Sequence, residues 1–221
     1  MQKFDTSAPI SAVLDIPAGR VQLIAADRAD TTVEVLPADA GKGRDVKAAE
    51  QTEVEYGDGV LRIKGFAKNQ LLGASGAIEV TVQLPAGSRV EAKAASAEFR
   101  AVGRFGDVVF DGAHGTVKID EAASARLTVQ AGDVSVGRLT GPAEIGTQKG
   151  DIRITEAVQG TVVLRTLSGN VSVDAARGVS AALDAGTSHG RIDNSLKNAD
   201  GDANLKIRAT TAHGDITARS L

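Results

Sequence analysis

The amino-acid sequence predicts an all-β protein of the β-solenoid class, and three observations lead to that prediction. Apolar and polar residues alternate with a period of two in many short runs, as they do in half-buried strands. Glycine supplies 25 of the 221 residues, whereas the aromatic residues are five phenylalanines and one tyrosine, so the core must be narrow and built from small side chains. In the second half of the chain a short motif recurs at spacings of 17 to 24 residues, which indicates a repeat architecture.

The repeated motif is a glycine, a polar residue and two β-forming residues around one variable position. Gly150 to Ile154 (GDIRI) is a clear copy, and Thr161 to Leu164 is an example of the second strand that lies between successive glycines. Each repeat therefore predicts one coil of two strands and two turns. Coils stacked about 4.8 Å apart would bury a continuous apolar column, since one coil cannot bury its inner face alone. An ordinary β-sandwich with similar turns is the alternative.

Three kinds of residue are predicted to form the corners of these coils. Glycine tolerates the positive φ of a tight corner, and an Asp or Asn directly after it can cap the turn through its side chain. Threonines three residues before the glycine should stack along one corner with their hydroxyls satisfied locally, and they are Thr147, Thr166, Thr187 and Thr211. The predicted structural turn glycines are Gly115, Gly132, Gly150, Gly169, Gly190 and Gly214.

The first half of the chain is less regular than the second. We predict that residues 1–88 form an irregular antiparallel β cap and residues 89–221 the solenoid repeats, continuous with the cap as one folded unit. A cap is expected because an open solenoid end exposes strand edges. Residues 45–55 have some helical character, but the second half of this segment favours a strand. Loops are expected at 37–44, 65–77 and 194–204.

Charge and composition argue against several classes of function. The net charge of −3 gives no basic field for nucleic acid, and no apolar run approaches the roughly 18 residues of a membrane span. Without cysteine, the chain has no disulfide and no thiolate ligand for a metal. Asp5, Pro9 and Asp15 interrupt the apolar region that a secretory signal needs. We therefore expect a cytoplasmic protein as encoded, which could reach the cell surface only by a non-standard route.

The candidates for chemistry are few. His189 and His213 each precede a motif glycine, so the repeat register places them on adjacent coils, about 5 Å apart, with Asp215 nearby. Two imidazoles and a carboxylate could hold a divalent metal, but zinc sites use at least three protein ligands, and solvated turn residues are the alternative. We expect no metal, no cofactor and no catalytic residue, and keep these three as weak metal candidates. The chain has no Gly-x-Ser-x-Gly elbow and no phosphate-binding loop, so an enzyme is not expected.

The repeats resemble those of a bacterial β-strand-repeat family of unknown function, whose members are commonly called putative adhesins. The resemblance rests on Gly132 to Val136 (GDVSV) and Gly150 to Ile154 (GDIRI), which follow the strand and turn at Leu84 to Gly87 (LPAG). It covers nearly the whole chain and is strongest from Ile78 to Leu221. The resemblance implies a β-solenoid fold and implies no catalytic residue.

These observations favour a non-enzymatic solenoid that presents a surface to an unknown protein partner or to a second copy of itself. The alternatives are a structural protein that polymerises end to end, as bactofilin-like rods do, and an adhesin. The segment Asp215 to Leu221 is expected to be the end strand. If it pairs with another copy, polymerisation is favoured, whereas an end strand covered by a loop favours partner binding.

Overall fold

The computed structural model describes residues 1–65, 76–198 and 202–221 of the chain. Within those residues it contains seventeen β-strands and one short helix, so the all-β prediction is confirmed. The chain forms two compact units, residues 1–116 and 117–221, and the predicted boundary at residue 88 lies inside the first unit. Most of the expected loop at 65–77 and the centre of the loop at 194–204 lie outside the described residues.

The first unit is built around one long strand, β2. Its elements are β1 (Gln2–Asp5), β2 (Ser11–Ala26), β3 (Asp30–Pro37), α1 (Gly43–Glu50), β4 (Glu53–Gly57), β5 (Val60–Lys64), β6 (Ile78–Pro85) and β7 (Arg89–His114). Strand β2 pairs in parallel with β5, β6 and β7, while β1–β3, β3–β6 and β4–β5 are antiparallel pairs. The antiparallel pairing predicted for residues 1–88 is therefore found around β2 but not on β2 itself. Its role as a cap stays a prediction.

The segment with helical character divides as its sequence suggests. The helix α1 ends at Glu50, and β4 begins at Glu53 and pairs with β5. Asp45 is buried within α1 and accepts a hydrogen bond from the backbone N–H of Ala77. No helix in residues 1–65, 76–198 and 202–221 is long and apolar enough to cross a membrane.

The second unit consists of parallel strands stacked in two sheets. Its elements are β8 (Val117–Ala131), β9 (Val134–Leu139), β10 (Ala143–Lys149), β11 (Ile152–Ala157), β12 (Gly160–Ser168), β13 (Val171–Ala175), β14 (Ala181–His189), β15 (Ile192–Ser195), β16 (Leu205–His213) and β17 (Ile216–Ser220). The first sheet has the order β8–β10–β12–β16–β14, and the second has the order β8–β9–β11–β13–β17–β15. Strand β8 belongs to both, because residues 125–131 pair with β10 and residues 117–122 with β9. Each later coil gives one strand to each sheet, which is a solenoid-like arrangement.

The last two coils do not stack in the order of the sequence. Strand β16 pairs with both β12 and β14, and β17 pairs with both β13 and β15. The coil made of β16 and β17 therefore lies between the β12–β13 coil and the β14–β15 coil. The expectation that Asp215 to Leu221 forms the end strand is wrong, because this segment is covered by β15 on one side and by β13 on the other. The edge coil of the unit is β14–β15.

The core is a set of columns of small apolar side chains. One column of the first sheet runs through Leu127, Ile145, Leu164 and Ala209, all fully buried, and ends at half-buried Ala185 of β14. In the second sheet, Ile216 is buried, whereas its neighbour Ile192 on β15 is 46% exposed. The loss of burial at β14 and β15 is what an edge coil with one neighbour should show.

Candidate functional site

The motif glycines lie at one corner of the coils and stack directly on each other. In the second unit the order along the stack is Gly132, Gly150, Gly169, Gly214 and Gly190. Their φ angles lie between +143° and +156°, a range that residues with a Cβ rarely adopt. A Cβ on any of the last four would lie 1.9 to 2.2 Å from the carbonyl oxygen of the preceding glycine in the stack. Gly115 has the same conformation in the first unit, where the blocking atom is the carbonyl oxygen of Ala97.

The polar residue after each glycine binds across coils and not within its own turn. Its side-chain oxygen accepts a hydrogen bond from the backbone N–H of the equivalent residue one coil further along, at 2.7 to 2.9 Å. We call this series the Asx ladder; its acceptors in order are Asp133, Asp151, Asn170 and Asp215, and Arg191, which only donates, ends it. The local turn capping expected from the sequence is thus replaced by a contact that ties neighbouring coils together.

The threonines before the glycines form a second ladder along the same corner. Each hydroxyl donates to the carbonyl oxygen of the glycine in the preceding coil of the stack, at 3.0 to 3.5 Å. The pairs are Thr147 with Gly132, Thr166 with Gly150, Thr211 with Gly169, and Thr187 with Gly214. This corner is consequently occupied by contacts between coils, and its polar groups are largely used by the fold.

The two histidines lie on adjacent coils, as the register predicts, with their ring centroids 4.9 Å apart. Asp215 does not complete a ligand set with them, because its carboxylate is held by Arg191. The backbone N–H and the side chain of Arg191 both donate to it, and these hydrogen bonds lower the pKa of Asp215. Among the described residues, no group of three or more His, Asp or Glu side chains is placed to hold a metal ion.

The outer face of the first sheet differs from the corner, because its side chains vary and are exposed. Its cations exceed its carboxylates. The cations are Arg126, Arg165, Lys206 and Arg208, and the carboxylates are Glu144 and Asp184. Leu167 follows Arg165 by two residues on β12, so it projects from the same face, and it is 61% exposed. Of these residues, the arginines are the type that protein interfaces favour.

A depression of about 350 Å³ lies in this face, over Gly146 of β10. In the register of the sheet, Gly146 stands between Thr128 of β8 and Arg165 of β12. Arg126 and Glu144 also line the depression, and the Nη1 atom of Arg165 donates to Oε1 of Glu144 at 3.2 Å. The sequence analysis did not identify this site. The available signal was a glycine inside a strand, four residues away from the corner glycine of its own repeat.

Gly146 is not required by the backbone. Its φ is not in the positive range of the corner glycines, and a Cβ built on it would meet its nearest neighbour, the carbonyl oxygen of Arg165, at 4.0 Å. A glycine inside a strand weakens the strand and often marks a place where a ligand or another chain approaches closely. The missing side chain at Gly146 is therefore what opens the depression.

Comparison with known proteins matches the Toastrack DUF4097 family model to residues 13–220. No curated protein matches the chain. Solved structures that are similar include a "putative adhesin" from Bacteroides fragilis, with 11% identity, a TM-score of 0.49, and coverage of 98% of this chain and 95% of that one. A "putative cell adhesion protein" from Clostridium sporogenes has 9% identity and a TM-score of 0.47 over 100% and 98%. A "putative lipid binding protein" from Parabacteroides distasonis has 11% identity and a TM-score of 0.44 over 98% and 95%.

Proposed function

Because the chain belongs to the Toastrack DUF4097 family, a family of domains of unknown function, we propose a function from its own surfaces. The protein is a non-enzymatic binding module that presents the outer face of the first sheet of its second unit to a protein partner. The observation that carries this proposal is the depression over Gly146, which a half-buried glycine creates where the fold does not need one.

The composition of the same face supports protein binding. Arginine is enriched at the energetic centres of interfaces, and Arg165 projects from β12 beside exposed Leu167, whose apolar surface a partner could bury. The backbone of a parallel sheet is held in fixed register, so a partner that binds this face does not have to order the backbone. The glycine corner supports binding less well, because its donors and acceptors are engaged in the ladders.

Self-assembly through the edge coil is the second candidate, and one observation favours it. Strands β14 and β15 each pair with one neighbour among the described residues, so each offers a row of backbone groups to another chain. Arg191 counts against it. It stands in the Asx ladder where the preceding coils have an Asp or Asn, so at this ladder position the edge coil offers no side-chain acceptor to a further coil. An adhesin would belong to the first candidate function, partner binding, and its partner would lie on the surface of another cell.

Photo-crosslinking from two matched positions tests the proposal. A photoreactive residue replaces Thr128 at the depression in one variant and Thr155, an exposed threonine of the second sheet, in the other. We expect Thr128 to capture a defined protein from an extract of the producing cells, which mass spectrometry identifies and which rebinds when purified. Equal capture from both positions, or capture mainly from Thr155, would contradict the proposed face. A covalent dimer of the protein itself would support self-assembly instead.

A further inference from the structure

We propose that the partner is an acidic protein segment, and that one of its carboxylates sits in the depression over Gly146 between Arg126 and Arg165. This inference rests on the proposed function and adds the chemistry of the partner. It depends on three observations: the space in the depression, the N–H donors that the two arginines have available, and the charge of the surrounding face.

The depression has space for a group that approaches the sheet surface at Gly146. The floor of the depression is the strand at Gly146, and the side chain of Thr128 is one wall. Because a Cβ at Gly146 would project into open space, the glycine leaves room for a group that approaches the sheet surface. A carboxylate is small and flat enough to approach in this way, and it can accept two parallel hydrogen bonds from an arginine.

The two arginines have donors available. Arg126 forms no hydrogen bond or ion pair with the described residues, and Arg165 is held through one nitrogen by Glu144. An arginine has five N–H donors in a rigid fork, so Arg165 can keep its bond to Glu144 and still donate to a second carboxylate. Glu144 and the incoming carboxylate would then share the positive charge of Arg126 and Arg165.

The charge of the wider face is complementary to an acidic segment. Four cations and two carboxylates project from the outer face of the first sheet, although the whole chain has a net charge of −3. On the second sheet, Lys118, Arg138, Arg153 and Arg219 are accompanied by Asp120, Glu121, Glu156, Asp174 and Asp193. Within the second unit, the excess of positive charge is therefore on the sheet that holds the depression. Such a local excess steers an oppositely charged partner to one surface.

An acidic protein segment fits this face better than nucleic acid does. Single-stranded nucleic acid is held by aromatic side chains on which bases stack, and no phenylalanine, tyrosine or tryptophan lies in the strands of the first sheet. The net negative charge of the chain also opposes binding to a long phosphate backbone. A single pocket between two arginines matches one carboxylate of a flexible chain.

Binding of fluorescein-labelled octaglutamate to the full chain at low ionic strength tests the inference, with fluorescence anisotropy as the readout. We expect Arg126→Gln, Arg165→Gln and Gly146→Val each to weaken binding by about tenfold, since each removes a charged donor or fills the depression. Arg153→Gln is the matched control, because it removes the same charge from an exposed arginine of the second sheet. It should change the dissociation constant by less than about twofold.

Three outcomes would overturn the inference. One is equal weakening by Arg153→Gln, which would indicate general charge attraction. Another is unchanged binding by Gly146→Val when thermal unfolding shows that this variant is folded. The third is binding of an oligonucleotide or of anionic lipid vesicles, but not of octaglutamate, with the same dependence on Arg126 and Arg165. If octaglutamate fails while Thr128 still crosslinks a purified partner, the acidic chemistry is wrong and the proposed function stands.

Discussion

The carboxylate of Asp151 accepts a hydrogen bond from the backbone N–H of Asn170, one coil further along the stack, at 2.7 Å. Replacing Asp151 with Ala removes this acceptor and leaves the N–H without its partner. We expect a loss of about 1 kcal/mol in the free energy of unfolding, measured by urea denaturation. The backbone N–H of Asp151, which donates to Asp133, should be unaffected.

Asp151→Asn is the control for this prediction, because an amide oxygen can accept the same hydrogen bond. Asn170 already does so in the next step of the ladder, where its oxygen accepts from the N–H of Asp215 at 2.9 Å. We expect less than about 0.5 kcal/mol of destabilisation. If the Asn variant loses as much stability as the Ala variant, the charge and not the hydrogen bond is what matters.

The corner glycines and the strand glycine should respond oppositely to alanine. Gly150→Ala places a Cβ 2.2 Å from the carbonyl oxygen of Gly132 at a φ of +143°, so the backbone must move. A loss of about 3 kcal/mol or more is expected in the free energy of unfolding. Gly146→Ala meets open space and should be neutral or stabilising by roughly 0.5 kcal/mol. Similar losses at both positions would contradict the assignment of their roles.

Engineered disulfides can verify the order of the coils, because the natural chain has no cysteine. Thr161 lies beside Lys206 in the first sheet, and Lys206 lies beside Ala182. The pair Thr161→Cys with Lys206→Cys should oxidise readily, since adjacent strands are about 4.8 Å apart. The pair Thr161→Cys with Ala182→Cys spans two strand spacings and should stay reduced. Mass spectrometry of the oxidised proteins gives the answer, and the reverse pattern would mean that the coils stack in sequence order.

Asp30 in the first unit should contribute to the acid sensitivity of the protein. Arg28 donates to its carboxylate at 2.7 Å and Lys3 lies at 3.1 Å, and these hydrogen bonds lower the pKa of Asp30 from 3.8 to about 2. Because the folded-state pKa is below the unfolded value, the stabilisation is complete above about pH 4 and is lost as the pH falls towards 2.

Asp30→Asn should therefore destabilise the protein at pH 5 and flatten the decline in stability between pH 4 and pH 2. Urea unfolding at a series of pH values measures both effects. Asp27→Asn, at an exposed neighbouring carboxylate, is the control and should keep the decline of the unmodified protein. A decline that is equally steep in the Asp30 variant would assign the acid sensitivity to other groups.

The repeat period predicted which residues lie side by side but not the order in which the coils stack. The glycine register placed His189 next to His213 correctly, because both share a position relative to their corner glycines. Every coil carries nearly the same corner glycine, so the glycine register alone allows more than one stacking order. The connection between β15 and β16 is long enough for the β16–β17 coil to insert between the β12–β13 coil and the β14–β15 coil. The motif distinguishes the two orders at one position only, Arg191, whose side chain has no acceptor for the backbone N–H of a further coil.

The site was harder to predict than the fold for a related reason. The repeat identifies corner glycines, and Gly146 lies at a position that varies from coil to coil. Its neighbours in the register are Thr128 and Arg165, which come from other repeats and are 18 and 19 residues away. The depression depends on three coils together, so no single repeat contains its pattern. Likewise, the Asx ladder joins residues of different coils, whereas the sequence suggested only local turns.

The inserted last coil also constrains how the protein is made. Residues 181–195 leave the ribosome before residues 205–220, yet in the finished protein the later segment lies between the earlier one and β12–β13. While the chain is still being synthesised, the place beside β12 and β13 is open, and the β14–β15 coil is the first segment able to occupy it. The final arrangement can form only after residues 205–220 have emerged. We therefore expect chains that stop before Leu205 to end in a differently ordered stack, and not in a shortened copy of this one.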